Sequence, residues 1–365
     1  MRCCRSRMSH RHTEPGASLL TRNGPPHGGS VRVDSPWCQL WQAYGAPSRT
    51  ALERHINRPG HDPRAVRDAR GAVPEDRIVS SVIHPAATAA ADDAFETTYR
   101  IDTATGQCYE IAVHRPRGPA PAGGFPALVV FDGNHTASLA REWLATRGLS
   151  EQVVLVGIGY PNTRDFNIVR RYHDFTPIAD PAYPGSGGAS RFADFVIDDV
   201  LEHVAGRIAI DASRLAVFGH SLGALAVLTL LMDKPAVFTD YWIASPALWW
   251  ADDSYKPYIA TYARAKTERR RRAHVLVTVG AAEQPVGPLG ADAPARALRQ
   301  RQRRMVDNAR WLGARLASRA DLTVIPQLIP GADHGQALRR GLCFGLGQWT
   351  ANRRRAELAT GTAPR

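Results

Sequence analysis

No run of about 18 apolar residues occurs anywhere in the 365-residue chain, so no segment is long enough to cross a bilayer as a helix. Cysteine is scarce and scattered. Cys3, Cys4, Cys38, Cys108 and Cys343 are odd in number, with no CxxC pair and no metal-ligand spacing. Neither a disulfide framework nor a zinc site is indicated, and reduced thiols in a cytoplasm are the expectation. The opening MRCCRSRMSH has the charge of a signal peptide's start, but no apolar stretch of about 7 to 15 residues follows it. No internal repeat is visible. Nothing in the sequence calls for a cofactor or a metal.

A hydrophobic fraction of 44% with 22% charged residues is that of a soluble globular protein, and the length accommodates one large α/β core. The net charge of +12 is concentrated at the ends: residues 1–75 hold 12 Arg against 6 acidic residues, and residues 350–365 hold 4 Arg against 1 Glu. Residues 1–80 are rich in Arg, Pro, Gly and His and show no sustained period, so they read as a disordered basic leader; residues 353–365 read as a basic tail. An Arg-rich end can hold nucleic acid without specificity. A solvated segment without a role is the simpler reading, and no nucleic-acid or membrane partner is expected.

The texture changes near residue 96. FETTYRI and CYEIAVHRP alternate like two antiparallel strands, with turn residues between them. FPALVVFDGN, QVVLVGIGYP, LAVFGHS, HVLVTVG and LTVIPQLIPG are continuous apolar runs, as in strands covered on both faces. Helical patterns separate them. SRFADFVIDDVLEHVAG is one, and the segment 295–317, with Leu298, Met305, Ala309, Leu312 and Leu316 on one face, is another. The alternation predicts an α/β domain over 83–352, a mainly parallel central sheet with helices on both faces.

Within it, Gly219-His220-Ser221-Leu222-Gly223 lies after a buried strand and before an apolar helix. This is the pattern of a nucleophile elbow, a sharp turn that projects the serine hydroxyl from the sheet's C-terminal edge. A Cβ at Gly219 or Gly223 is expected to collide with the neighbouring strand or helix. A serine needs a base, and the base needs a carboxylate to orient it. His334, in IPGADHG after the last strand, suits the base; the other downstream histidine, His274, opens a buried strand. Glu283, just beyond the strand HVLVTVG, is the preferred acid. Asp292, further into that loop, and Asp333, adjacent to His334, are the alternatives. The oxyanion hole would take one N–H from Leu222 and a second from Gly133 or Asn134 in VVFDGNH, where Gly133 would let the backbone approach the substrate closely.

LVVFDGN, VVLVGIGYP, RRYHDFTP, FGHSLGA, ASPALWW, VTVGAAEQ and IPGADHG occur in the order and spacing of an esterase family of α/β-hydrolases. The family includes ferric-enterobactin and salmochelin (siderophore) esterases and is related to feruloyl esterases, and the chain resembles it over residues 83–350. The resemblance implies an α/β-hydrolase fold, a triad of Ser221, His334 and Glu283, and an oxyanion hole that includes the loop Asp132 to Asn134. Ala224 departs from the pattern, since relatives usually carry a second glycine there. Two segments are candidates for the pocket. Arg170 or Arg171 could bind an anionic substrate or pair structurally with Asp174, and Trp249 and Trp250 could form an aromatic wall or pack in the core. A siderophore ester is the substrate class that the resemblance implies. Aryl esters, thioesters, acyl transfer and a catalytically silent binding protein share the same framework.

Overall fold

The computed structural model describes residues 82–85 and 96–360, apart from 164, 236, 266–271 and 291; for 82–85 and 353–360 it describes the backbone alone. The expected leader, 1–80, and residues 361–365 lie outside the described residues.

The chain opens with three antiparallel strands, β1 (Val82–Pro85), β2 (Glu96–Asp102) and β3 (Cys108–His114). β4 (Phe125–Phe131) leads into α1 (Gly133–Ala145), and β5 (Val154–Gly159) into α2 (Ile168–Phe175). The expected helix before the elbow is α3 (Ala189–Asp194), continued through a π-helical stretch, Phe195–Leu201, into α4 (Glu202–Ala205). Then follow β6 (Ile210–His220), α5 (Leu222–Asp233), β7 (Asp240–Ala244) and α6 (Lys256–Arg264). β8 (Ala273–Gly280), α7 (Ala295–Arg303), α8 (Met305–Leu316), β9 (Leu322–Ile329) and α9 (His334–Thr360) complete the described chain.

The nine strands form one sheet in the order β1-β2-β3-β5-β4-β6-β7-β8-β9. From β5 onward every neighbouring pair is parallel, while β3 meets β5 antiparallel. Every residue of β4 and of β5 is buried, which is why both read as unbroken apolar runs. Alternation along β4 separates the two faces. Leu128 and Val130 join Ala137, Ala140 and Leu144 of α1 and Leu342, Leu346 and Trp349 of α9 in one core. Phe131 points the other way, stacked on Phe175 of α2 with ring centroids 5.6 Å apart and edge-on to Phe192 of α3.

Two expectations are corrected. The segment 295–317 is two helices, broken where Arg304 takes a left-handed backbone (φ 46°). Met305, Ala309, Leu312 and Leu316 are buried, but Leu298 is exposed, so its place in the apolar period is a coincidence of spacing across the break. The supposed tail from 353 is, as far as Thr360, a continuation of α9.

Candidate active site

In a parallel sheet all strand ends with the same sense share one edge, and loops at the C-terminal edge are where α/β folds bind ligands. β6 ends at His220, and Ser221 turns the chain into α5 with φ 60° and ψ −114°, a conformation costly for any residue with a Cβ. The neighbours hold it there. Ser221 N–H donates to Ala244 O at 2.9 Å, and Ala247 N–H donates to Ser221 O at 3.2 Å. The reason for the first glycine stands, since a Cβ on Gly219 would lie 2.2 Å from Gly223 O. That for the second does not. A Cβ on Gly223 would meet nothing nearer than Asp132 Oδ2 at 3.6 Å, an ordinary contact. Ala224 is fully buried, and its methyl is accommodated.

β8 ends at Gly280, and a single 3₁₀ turn, Ala281–Glu283, returns Glu283 toward the elbow. β9 ends at Ile329, and His334 opens α9 four residues beyond Pro330. These two excursions meet at Ser221. Glu283 Oε2 lies 2.6 Å from His334 Nδ1, and His334 Nε2 lies 3.1 Å from Ser221 Oγ. A carboxylate only accepts, so Nδ1 carries the proton and Nε2 is left free to accept from the serine hydroxyl. The other oxygen of Glu283 accepts from Ser245 Oγ at 2.6 Å and from Gly280 N–H at 2.7 Å. Glu283 is buried, whereas the His334 side chain is 42% exposed, so the imidazole stands at an open surface. Asp292 is exposed in the loop before α7. Asp333 is occupied otherwise: its Oδ1 accepts from Gln336 N–H and its own N–H donates to Gln336 Oε1, a capping box at the start of α9. Sequence reasoning missed Ser245. Its only local signal is its position after a buried strand in ASPALWW, where the structure gives it φ 45°.

Leu222, Gly133 and Asn134 each stand in the first turn of a helix, where N–H groups have no intrahelical acceptor. The helix dipole at such an end favours negative charge. Asn134 fixes this loop to β5, accepting Tyr160 N–H through Oδ1 at 2.7 Å and donating to Tyr160 O through Nδ2 at 3.0 Å. The structure gives a packing reason for Gly133. Its missing Cβ would lie 2.5 Å from the carbonyl carbon of Gly157, so β5 alone requires a glycine here.

The candidate pocket residues need correction. Arg171 is buried, with Nε 2.8 Å from Asp132 Oδ1 and Nη2 donating to His220 O at 3.2 Å. Arg170 donates to Cys108 O at 3.1 Å and to Asp174 Oδ2 at 3.2 Å, and its guanidinium lies between the rings of Tyr109 and Tyr160. Both arginines are turned into the protein, because each faces a buried carboxylate that would be costly unpaired. Trp250 is core: its Nε1 donates to Ile178 O at 2.8 Å and its ring packs on Tyr172 and Tyr183. Trp249 is half-buried beneath the Arg303 guanidinium, 4.2 Å from the ring centroid. His220 is buried with its ring 4.4 Å from that of His334; burial, with His334 and Arg171 alongside, holds its pKa well below the ordinary histidine value. Among the described residues no group of three His, Cys, Asp or Glu is arranged to hold a metal.

The model of the family described as Putative esterase matches residues 103–323, which include the elbow and Glu283 and stop short of His334. The chain is 33% identical over 226 residues to the ferri-bacillibactin esterase BesA of Bacillus subtilis, covering 57% of this chain and 72% of that protein. It is 31% identical over 241 residues to the siderophore triacetylfusarinine C esterase of Aspergillus fumigatus, covering 61% of this chain and 81% of that one. Among solved structures, siderophore hydrolase EstB from Aspergillus nidulans aligns with a TM-score of 0.62 at 25% identity, over 70% of this chain and 95% of that chain. The BES protein from Bacillus cereus aligns with a TM-score of 0.59 at 25% identity, over 75% and 97%. A match through more than half of the chain, on a sheet whose C-terminal edge gathers a serine, a histidine and a glutamate, makes this protein a member of the Putative esterase family, an esterase of the α/β-hydrolase fold.

Proposed function

We propose that this esterase hydrolyses siderophore esters through an acyl-enzyme formed on Ser221. The contact chain Glu283–His334–Ser221, at 2.6 and 3.1 Å, is the observation that carries the reading. Ser221 Oγ attacks the ester carbonyl while His334 Nε2 takes its proton, and the negative charge on the carbonyl oxygen meets the N–H groups of Leu222 and of Gly133 or Asn134. Collapse expels the alcohol, which receives the proton from His334. Water repeats the sequence in reverse and releases the acid. Glu283 holds the imidazole by Nδ1 and stabilises its cationic form. Ser245 and Gly280 in turn hold Glu283, leaving it one way to face.

The substrate class rests on the relatives, which include esterases of ferri-bacillibactin and of triacetylfusarinine C, and on the openness of the site. A histidine 42% exposed suits a bulky ligand that no closed cavity of drug-molecule size would admit. With Arg170 and Arg171 engaged inside, positive charge for an anionic ligand comes from the mouth. Arg296 lies 3.6 Å from Asp333, beside the base, and Arg303 covers Trp249.

The test is hydrolysis of a catecholate trilactone, in its ferric and iron-free forms, beside a neutral aryl ester, with product acids followed by mass spectrometry. The wild type is expected to open the trilactone, and Ser221→Ala and His334→Ala to lose several orders of magnitude on every ester. Turnover of the aryl ester alone would leave a serine esterase and remove the siderophore assignment.

A further inference from the structure

Resting on that reading of the site, we propose that Arg171 and Asp132 are positioning residues of the oxyanion hole, a buried clamp that sets the separation of its two N–H donors and neutralises a carboxylate beside them. The two donors belong to different strand ends. One follows β4, in the turn at Gly133 and Asn134; the other follows β6, at Leu222. The strands are parallel neighbours, but their ladder stops at the pair Val130 and Phe218. Asp132 and His220 each lie two residues beyond that last pair, and no sheet hydrogen bond between the two strands holds these turns together. Arg171, brought in from α2, spans the gap: Nε meets Asp132 Oδ1 at 2.8 Å and Nη2 donates to His220 O at 3.2 Å. Asp132 directly precedes Gly133, and His220 directly precedes Ser221. A planar guanidinium can set one nitrogen against the carboxylate as an ion pair while another donates to the carbonyl, whereas a single ammonium cannot hold the same separation.

The charge matters as much as the span. The Asp132 carboxylate is 2% exposed, and a Cβ on Gly223 would lie 3.6 Å from its Oδ2, so it sits against the first turn of α5, where the oxyanion forms. Burial holds the Asp132 carboxyl above its ordinary pKa and Arg171 offsets this only in part, so whatever charge the carboxylate keeps depends on the guanidinium beside it. An uncompensated carboxylate here would repel the developing oxyanion. The guanidinium is held in turn by the faces of Phe166 and Phe175, 5.1 and 5.7 Å from their centroids.

The experiment compares Arg171→Met, Arg171→Lys and Arg171→Met/Asp132→Asn with wild type and Ser221→Ala. It measures kcat and KM on a neutral aryl ester, and inhibition by a phenylboronic acid, which forms a tetrahedral anion on the serine. Concentrations are corrected for folded enzyme by circular dichroism. Arg171→Met is expected to lose roughly 10²-fold or more in kcat, on the scale of one lost oxyanion donor, with KM little changed and boronate affinity falling in step. Arg171→Lys keeps the charge and loses the span, so it should fall between. The double variant should be faster than Arg171→Met, because it removes the stranded carboxylate. A purely structural pair predicts the reverse: lower stability, unchanged kcat per folded molecule, unchanged boronate affinity, and a double variant no faster than the single one. That result, with Ser221→Ala inactive, would overturn the clamp and leave the proposed function standing. An active Ser221→Ala would overturn both.

Discussion

Glu283 is the residue at which charge and shape separate most cleanly. Its two oxygens receive three groups, so Glu283→Gln keeps most of the packing and loses the charge that stabilises the imidazolium. A fall of roughly 10³- to 10⁴-fold in kcat is expected, by the scale of other triads, while the exposed Asp292→Asn should be nearly silent. His220 supplies a different readout. Its pKa in the fold is held well below about 6.5, so the folded chain refuses a proton that the unfolded chain accepts. Its contribution is therefore complete above pH 6.5 or so and lost as pH falls through the acid side, with a slope of up to about 1.4 kcal/mol per pH unit. Urea unfolding at pH 7 and pH 5 should show a smaller drop for His220→Asn than for wild type. Arg303, exposed and stacked on Trp249, tests the proposal that positive charge for the ligand comes from outside the core: Arg303→Ala should raise KM roughly two- to fivefold for an anionic siderophore ester and leave that of a neutral aryl ester alone, as befits an exposed charge.

Helix starts and stops, on the scale of the element, decide where reactive groups stand. α9 begins at the base itself, and the Asp333–Gln336 capping box fixes its first turn. Asp333→Ala removes one N-terminal acceptor, worth about 1 kcal/mol. The expected outcome is a modest loss in melting temperature with a several-fold loss in kcat, because the fraying turn carries His334. A loss of 10³-fold would instead argue that Asp333 is the acid. The glycine pattern is legible at the same scale only in part. Gly219 is demanded by the backbone of Gly223, while Gly223 has room for a methyl, and no rule of spacing tells the two apart.

For the whole molecule, the site lies toward one end of a long sheet. Ser221, Glu283 and His334 follow β6, β8 and β9, whereas β1 and β2 form the opposite edge, five and four strands from β6 in the sheet order. A chain beginning at residue 82 keeps the nine-stranded sheet; one beginning at residue 96 loses β1 and bares the edge of β2. The longer truncation is expected to melt lower and to aggregate more readily, since an unpaired edge strand templates association, yet to keep its turnover per folded molecule. Calorimetry and light scattering, beside aryl-ester kinetics, check both halves. A proportional loss of turnover would mean that the far edge supports the site.

The fold class and the meeting of Ser221, His334 and Glu283 could be read from the amino-acid order because each signal is local: unbroken apolar runs, a glycine-flanked serine at a strand-to-helix junction, and polar residues just past strand ends. Parallel connectivity then brings those ends to one edge without any knowledge of packing. The inward turn of Arg170 and Arg171, the burial of Trp250, the support from Ser245 and the break at Arg304 were decided only in three dimensions. An arginine beside a buried strand reads the same whether it faces solvent or a carboxylate. What selects between them is the cost of leaving Asp132 or Asp174 unpaired in the interior, and the residues that impose it come from elements far apart in the chain.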